Sequence, residues 1–307
     1  MNNCNDDVLL ADERRPGPRP GVNIDGFREK FDVGLRALTL YFEQSPETWM
    51  CIVDERNGDK IVAYDTWNEL TDHGCFMGYQ IVVRQEYKGR GLTRMLNSVQ
   101  YATYAFMGNA TRNTINRYKD MGRYTDKFVG QYGCVQMKPA NRQGSTNIGS
   151  TQLVGMDEKD HFEKVMAYDF SIIRIQRRAF MYKFLFNSEV SIPLVAIDSD
   201  TDQVRGYACA RLFGDGGRVR YYSLTPVYAD TPELAAGLMR ALEARLPVGT
   251  FMYMHHIAKQ RVCWQVAREL HMTPVEHEIR QYKNTWDTVG SRIAWDKVYC
   301  DHEYWPC

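Results

Sequence analysis

One order of elements recurs along this chain: helix, hairpin, third strand, polar elbow, helix. No other feature narrows the fold as far. In the first half a helical stretch runs from Phe27 to Phe42. Strands from Trp49 to Val53 and from Lys60 to Trp67 follow, joined through Asn57-Gly58. Asn-Gly between two apolar runs marks a hairpin, because both residues tolerate positive φ. A third strand, Cys75 to Val83, leads through Arg84-Gln85-Glu86-Tyr87 into a helix expected from Gly91 to about Phe106. The second half repeats the plan. A helical stretch covers His161 to Phe186, and strands are expected over Pro193 to Ile197, Gln203 to Leu212 and Arg218 to Leu224. The elbow Thr225 to Thr231 then opens a helix from Pro232 to Leu246. The halves agree in plan and scarcely in letters.

Lys138 to Met156 is rich in Gly, Ser, Thr and Asn and lacks periodicity, as a linker or surface loop does. The boundary therefore falls there. The reading divides the chain into a flexible lead (1–21), a first domain (22–140), a linker (141–156) and a second domain (157–307). Lys plus Arg equals Asp plus Glu at 38 each, which argues against a protein built to hold nucleic acid. No apolar run is long enough to span a membrane. The opening residues lack the charged-then-apolar order of a secretory signal. Eight cysteines are scattered with no C-x-x-C pair, so no metal site is expected and reduced thiols of a cytoplasmic protein are. Only Cys300 and Cys307 stand near enough in the tail to raise the question of a pair.

The first elbow carries the chemistry. Lys88-Gly89-Arg90-Gly91 sits between the strand residues Ile81, Val82 and Val83 and the helix former Leu92-Thr93. A pyrophosphate needs converging N–H donors at close range, which glycines and a helix N-terminus supply. Lys88 and Arg90 add charge, and the Thr93 hydroxyl adds a donor. If a neighbouring strand splays away from Ile81–Val83, its free backbone groups can pair with the amides of an extended ligand arm. Walker and dinucleotide-fold patterns are absent. The second elbow, Pro226 to Glu233, has neither glycine nor cation. Asp230 and Glu233 there are spaced as a capping box, with Pro232 in the first turn.

Val83-Arg84-Gln85-Glu86-Tyr87-Lys88-Gly89-Arg90-Gly91-Leu92 resembles the acetyl-CoA motif of the GNAT superfamily of N-acetyltransferases, V-x-P-E-Y-R-G-R-G-[IL]-[GA]. Gln85 stands where proline is usual, Lys88 replaces the loop's Gln or Arg, and Thr93 replaces a small residue. Lysine keeps the charge and loses the planar fork. Further on, AYDFSIIRIQRRAF, VRGYACAR and SLTPVYADTPELAAGLMRALEARL resemble the divergent second copy of a two-domain GNAT subfamily.

The resemblance implies an α/β fold of tandem GNAT-like domains, each a mixed, mostly antiparallel central sheet flanked by helices. It implies acetyl-CoA as co-substrate and a small-molecule or peptide amine as acceptor. Coenzyme contacts would fall on Ile81, Val82, Val83, Lys88, Gly89, Arg90, Gly91, Leu92, Thr93 and Asn116. Such enzymes often protonate the departing thiolate from a tyrosine on the helix after the fifth strand. Ile115 to Phe128 resembles that stretch, with Asn116 and Tyr124 the best matches and Tyr118, Tyr132 or a purely structural role for the tyrosine as alternatives. The general base is unassigned among Glu86, Asp65, Glu69 and Asp72. His255 and His256 either line an acceptor pocket or are ordinary strand residues. A non-catalytic acyl-CoA sensor or protein-binding module is the rival reading.

Overall fold

The computed structural model describes residues 8–10, 49–70, 75–96, 105–111, 124–135, 147–186, 190–215, 220–283 and 290–301. The expected helix at 27–42, Tyr118, Asp72, Asn116 and Cys307 lie outside them. In the first half the strands are β1 (Val8–Leu10), β2 (Trp49–Asp54), β3 (Lys60–Leu70), β4 (Cys75–Val83), β5 (Ala105–Thr111) and β6 (Tyr124–Val135). The second half adds β7 (Asn147–Ile148), β8 (Thr151–Gly155), β9 (Ser191–Asp198), β10 (Val204–Asp215) and β11 (Arg220–Ala229). It ends with β12 (Phe251–Ile257), β13 (Thr273–Lys283) and β14 (Val298–Cys300). Its helices are α1 (Glu158–Ile173), α2 (Arg178–Phe186), α3 (Pro232–Glu243) and α4 (Arg261–Glu269).

All fourteen described strands join one sheet, in the order β1-β2-β3-β4-β5-β13-β6-β12-β14-β11-β10-β9-β8-β7. The pairings are antiparallel except β4 with β5 and β11 with β12. The two halves exchange strands at the centre. β13 lies between β5 and β6, and β6 in turn pairs with β12.

Several local expectations shift. Asp54 pairs with Lys60, so the first hairpin loop spans five residues rather than two. Glu55–Asn57 form a 3₁₀ turn, and the positive φ values fall on Gly58 and Asp59, one residue later than expected. Val8–Leu10 pair with β2 within the expected flexible lead. Residues 147–155, within the expected linker, form a hairpin whose second strand pairs with β9. The helical stretch 161–186 is two helices. Asp157 caps the first by accepting from the N–H groups of Lys159 and Asp160, and Arg174 ends it at φ 64°. Ala105 already belongs to β5, so the helix after the first elbow stops short of Phe106.

Apolar burial positions the layers. In the first half Met50, Ile52 and Ala63 pack with Tyr87, Leu92 and Leu96 of the elbow and its helix. In the second half α3 and α4 cover one face, with Leu234, Leu238, Leu242 and Val266 against Leu224, Met252 and Met254. α1 and α2 cover the other, with Val165, Ile172, Met181 and Phe184 against Val195, Tyr207 and Tyr228. On that face Arg177 donates from Nε to Asp169 Oδ2 at 2.9 Å, and the Tyr207 hydroxyl donates to the same carboxylate.

Gly206 on β10 shows how close the backbones run. A Cβ there would lie 2.8 Å from the Tyr228 carbonyl oxygen and 3.2 Å from Ala229 Cα. Backbone atoms yield poorly, so Gly206→Ala is expected to cost about 1–3 kcal/mol. Urea unfolding of the two proteins reads this directly. Equal midpoints would show that the β10–β11 pair relaxes freely.

Candidate functional site

The first elbow is built by β4 and its neighbours. As β4 ends, Arg84 donates its backbone N–H to Val62 C=O at 2.9 Å and its Nε to Ile61 C=O at 2.7 Å. These bonds tie the end of β4 to β3. Gln85–Tyr87 then make one 3₁₀ turn, closed by the Lys88 N–H donating to Gln85 C=O at 3.2 Å. Tyr87 is the anchor beneath the loop. Its ring is buried, and its hydroxyl donates to Asp54 Oδ2 at 2.5 Å. Arg90 lies over that ring at 4.7 Å and donates to Glu86 C=O at 3.3 Å.

Lys88, Gly89, Arg90 and Gly91 are exposed above this base. Gly89 and Gly91 have φ of 80° and 81°, the left-handed region where a side chain is strained. Residues 92–96 are helical, and the Met95 N–H donates to Gly91 C=O at 3.0 Å. The first N–H groups of a helix have no intrahelical acceptor. Left-handed residues just before it curl neighbouring amides into an anion-binding concavity. Elbow, charge and helix start therefore coincide at Lys88–Thr93.

The strands beside the elbow diverge. β4 and β5 pair in parallel only over Cys75–Met77 and Ala105–Met107. Among the described residues no strand lies against that edge of β4 from Gly78 to Val83. Among the described residues, Ile81, Val82 and Val83 thus border a gap that runs up to the glycine loop.

Proton carriers are less well grouped. Tyr124 is the first residue of β6, opposite Tyr282 of β13, and is not on a helix. Tyr132 lies further along the same strand, opposite Met254 and Pro274. Glu86 pairs with Lys60 at 2.9 Å, and the Lys60 hydrogen bond lowers its pKa from the ordinary carboxylate value. A general base near neutral pH needs the opposite shift. Asp65 is buried on β3 between its partners Met50 and Ile81, on the face that carries the elbow helix. Glu69 lies at the far end of β3, opposite Phe76. Among the described residues no group of three or more His, Cys, Asp and Glu side chains is arranged to hold a metal ion.

The second elbow is built differently. Thr231, at φ −136° and ψ 155°, is the N-cap of α3, and its hydroxyl accepts from the Leu234 N–H at 3.3 Å. Asp230 is not the cap, because cations hold it elsewhere. It meets Lys297 Nζ at 2.8 Å and Arg205 Nε at 3.1 Å, and the Tyr168 hydroxyl donates to it at 3.1 Å. Pro232, at the first helical position, has no N–H to offer. His255 and His256 are buried on β12, and the His256 ring meets Trp264 edge-on at 5.0 Å. Cys300 is a buried free thiol.

This architecture has counterparts among solved structures. A Pyrococcus horikoshii protein described as an acetyltransferase superposes over 97% of this chain and 95% of its own, with TM-score 0.66 at 13% identity. A tandem GNAT protein from the clavulanic acid biosynthesis pathway matches over 90% of this chain and 98% of its own, with TM-score 0.57 at 10% identity. The chain has the GNAT fold. A GCN5-related N-acetyltransferase from Sphaerobacter thermophilus is a further counterpart, with TM-score 0.52 at 11% identity over 77% of this chain and 80% of that one. At the level of sequence, the family model of the acetyltransferase (GNAT) domain matches residues 165–292. No curated protein matches the chain. The family match thus falls on the second half, while the glycine elbow lies in the first.

What the elbow motif could not reveal is how the loop is supported. Arg84 and Tyr87 hold it by bonds to Ile61, Val62 and Asp54, residues more than twenty positions away. Their type was visible in the motif, but their partners depend on the β3–β4 register.

Proposed function

We propose that this protein is an acetyl-CoA-dependent N-acyltransferase, with the coenzyme held in the first half and the acetyl group passed by direct attack to an amine acceptor. The observation that carries this reading is the alignment of a strand gap with the exposed glycine elbow at its end. In this reading the backbone of Ile81, Val82 and Val83 pairs with the extended arm of the coenzyme. The amides of Gly89 to Leu92 meet the pyrophosphate, with Lys88 and Arg90 supplying charge and Thr93 a hydroxyl. Asn116 completes the set. The match of residues 165–292 to an acetyltransferase domain supports the same chemistry. The second half shapes the acceptor side, and the acceptor is a small-molecule or peptide amine.

Attack on a thioester needs a neutral amine, polarisation of the carbonyl and a proton for the departing thiolate. Tyr124 is assigned that last proton. Tyr124→Phe removes the donor and leaves the ring. The expected result is a fall in kcat of about 100-fold with little change in coenzyme affinity. Release of free CoA thiol, followed with a panel of amines, amino acids and lysine peptides, tests both statements. Tight acetyl-CoA binding with no turnover on any acceptor would favour a coenzyme sensor over an enzyme.

A further inference from the structure

Where two parallel strands part, each is left with a row of backbone N–H and C=O groups to satisfy. The GNAT fold has this opening twice in the chain. In the second half β11 and β12 pair in parallel from Tyr221 with Phe251 to Leu224 with Met254, and then separate. This is the equivalent of the gap between β4 and β5. It is already filled.

β14 lies in it and pairs antiparallel with both walls. Cys300 stands opposite Val227 of β11 and His256 of β12, and Val298 stands opposite Tyr228. The Asp301 N–H continues the ladder, donating to His255 C=O at 2.8 Å. Val298, Tyr299, Cys300 and Asp301 are each 2% exposed or less. Val298 packs into the core beneath α1 and α2, while Tyr299 and Cys300 pack into the core beneath α3 and α4. An occupant gripped from both edges and both faces is part of the fold.

Its approach is fastened as well. The Gln260 side-chain amide donates to the carbonyls of Trp295 at 3.1 Å, Asp296 at 3.3 Å and Val298 at 3.1 Å. Cys263 donates from Sγ to Tyr299 C=O at 3.5 Å. The Ala294 N–H donates to Ile172 C=O at 2.9 Å, tying the segment to the end of α1. Lys297 reaches Asp230 inside the second elbow. That contact places the segment's own cation where a pyrophosphate's counter-charge would be needed.

The geometry points to β14 as a built-in occupant of the second cleft, taking the place of an extended coenzyme arm, so that each chain binds one CoA and binds it in the first half. The inference rests on the proposed function for the location of that one site. Three features agree on it: the gap holds a strand, Lys297 beside the elbow is paired with Asp230, and the helix start presents Pro232 and Glu233. The second cleft then has a mechanical role. β12 bears on β14 along one edge and on β6 of the first half along the other. A filled cleft keeps β12 from shifting toward β11 and so holds β6 in register.

The test combines native mass spectrometry with hydrogen–deuterium exchange on the full chain, titrated with CoA itself. The expected result is one CoA per wild-type chain at a concentration that just saturates it, and almost none on Gly91→Leu at that same concentration. Peptides covering 223–229 and 298–301 exchange slowly, equally with and without CoA. Two CoA per chain, or one retained by Gly91→Leu, would overturn the inference. Fast exchange at 298–301 in free wild-type protein would overturn it too, and that measurement needs no variant to fold. If wild-type protein binds no CoA while 298–301 stays protected, the filled cleft stands and the coenzyme assignment of the first elbow falls.

Discussion

Gly91→Leu is expected to weaken CoA binding by about 100-fold or more, which corresponds to roughly 2.7 kcal/mol. Two effects combine. At φ 81° any L side chain strains the backbone, at about 1–2 kcal/mol. A Cβ there meets no protein atom within 4 Å, so the fold leaves open space at the point where a side chain would start. The leucine therefore projects into the space assigned to the pyrophosphate. Gly91→Ala carries the same strain with little bulk, so the two variants together separate strain from blockage. Isothermal titration with CoA gives the affinities. Unchanged affinity in Gly91→Leu would remove the elbow from the binding site.

The largest stability loss is expected from Asp169→Ala. Arg177 and Asp169 are buried together, with side chains 3% and 2% exposed. Burial is the largest influence and works against the Arg177 charge, yet the attraction and hydrogen bond to Asp169, together with Tyr228 and Tyr207, outweigh it and hold the guanidinium pKa above its ordinary value. Removing the carboxylate leaves a buried cation and the Tyr207 hydroxyl without their shared acceptor. Such a loss costs about 3–5 kcal/mol. Replacing both partners by leucine should cost much less, because no charge is left behind. Denaturant midpoints of the single and double variants decide the matter. A single variant as stable as the wild type would mean that water reaches the site.

The legible parts of the fold were those encoded by neighbours in sequence. β4 spans Cys75–Val83, as its apolar run requires, and α3 begins at Pro232, where the proline in the first turn marks a helix start. The glycine elbow was legible for the same reason, since positive φ is a local demand. Asp230 was misread as a cap because its true partners, Lys297, Arg205 and Tyr168, come from three distant segments. β6 and β13 left no clear signal. YTDKFVGQYGCV is interrupted by Gly130 and Gly133, and TPVEHEIRQYK scatters Val275, Ile279 and Tyr282 among charged and polar residues without a period of two. Their identity as central strands comes from pairing with each other and with β5 and β12. β14 is three residues long, too short for any periodicity, and its place in the second cleft is wholly a tertiary result.

The exchange of strands at the centre of the sheet also has a consequence for how the chain is made. A polypeptide emerges from its amino end, and β5 and β6 are complete long before Thr273 is added. Until β13 arrives, those two strands have bare edges and no bond to each other, the condition that invites wrong partners. Pairings so remote in sequence also close slowly. The first half, with the glycine elbow it carries, must therefore wait in an unfinished state until the second half has been made. Its sheet closes only when Thr273–Lys283 arrives.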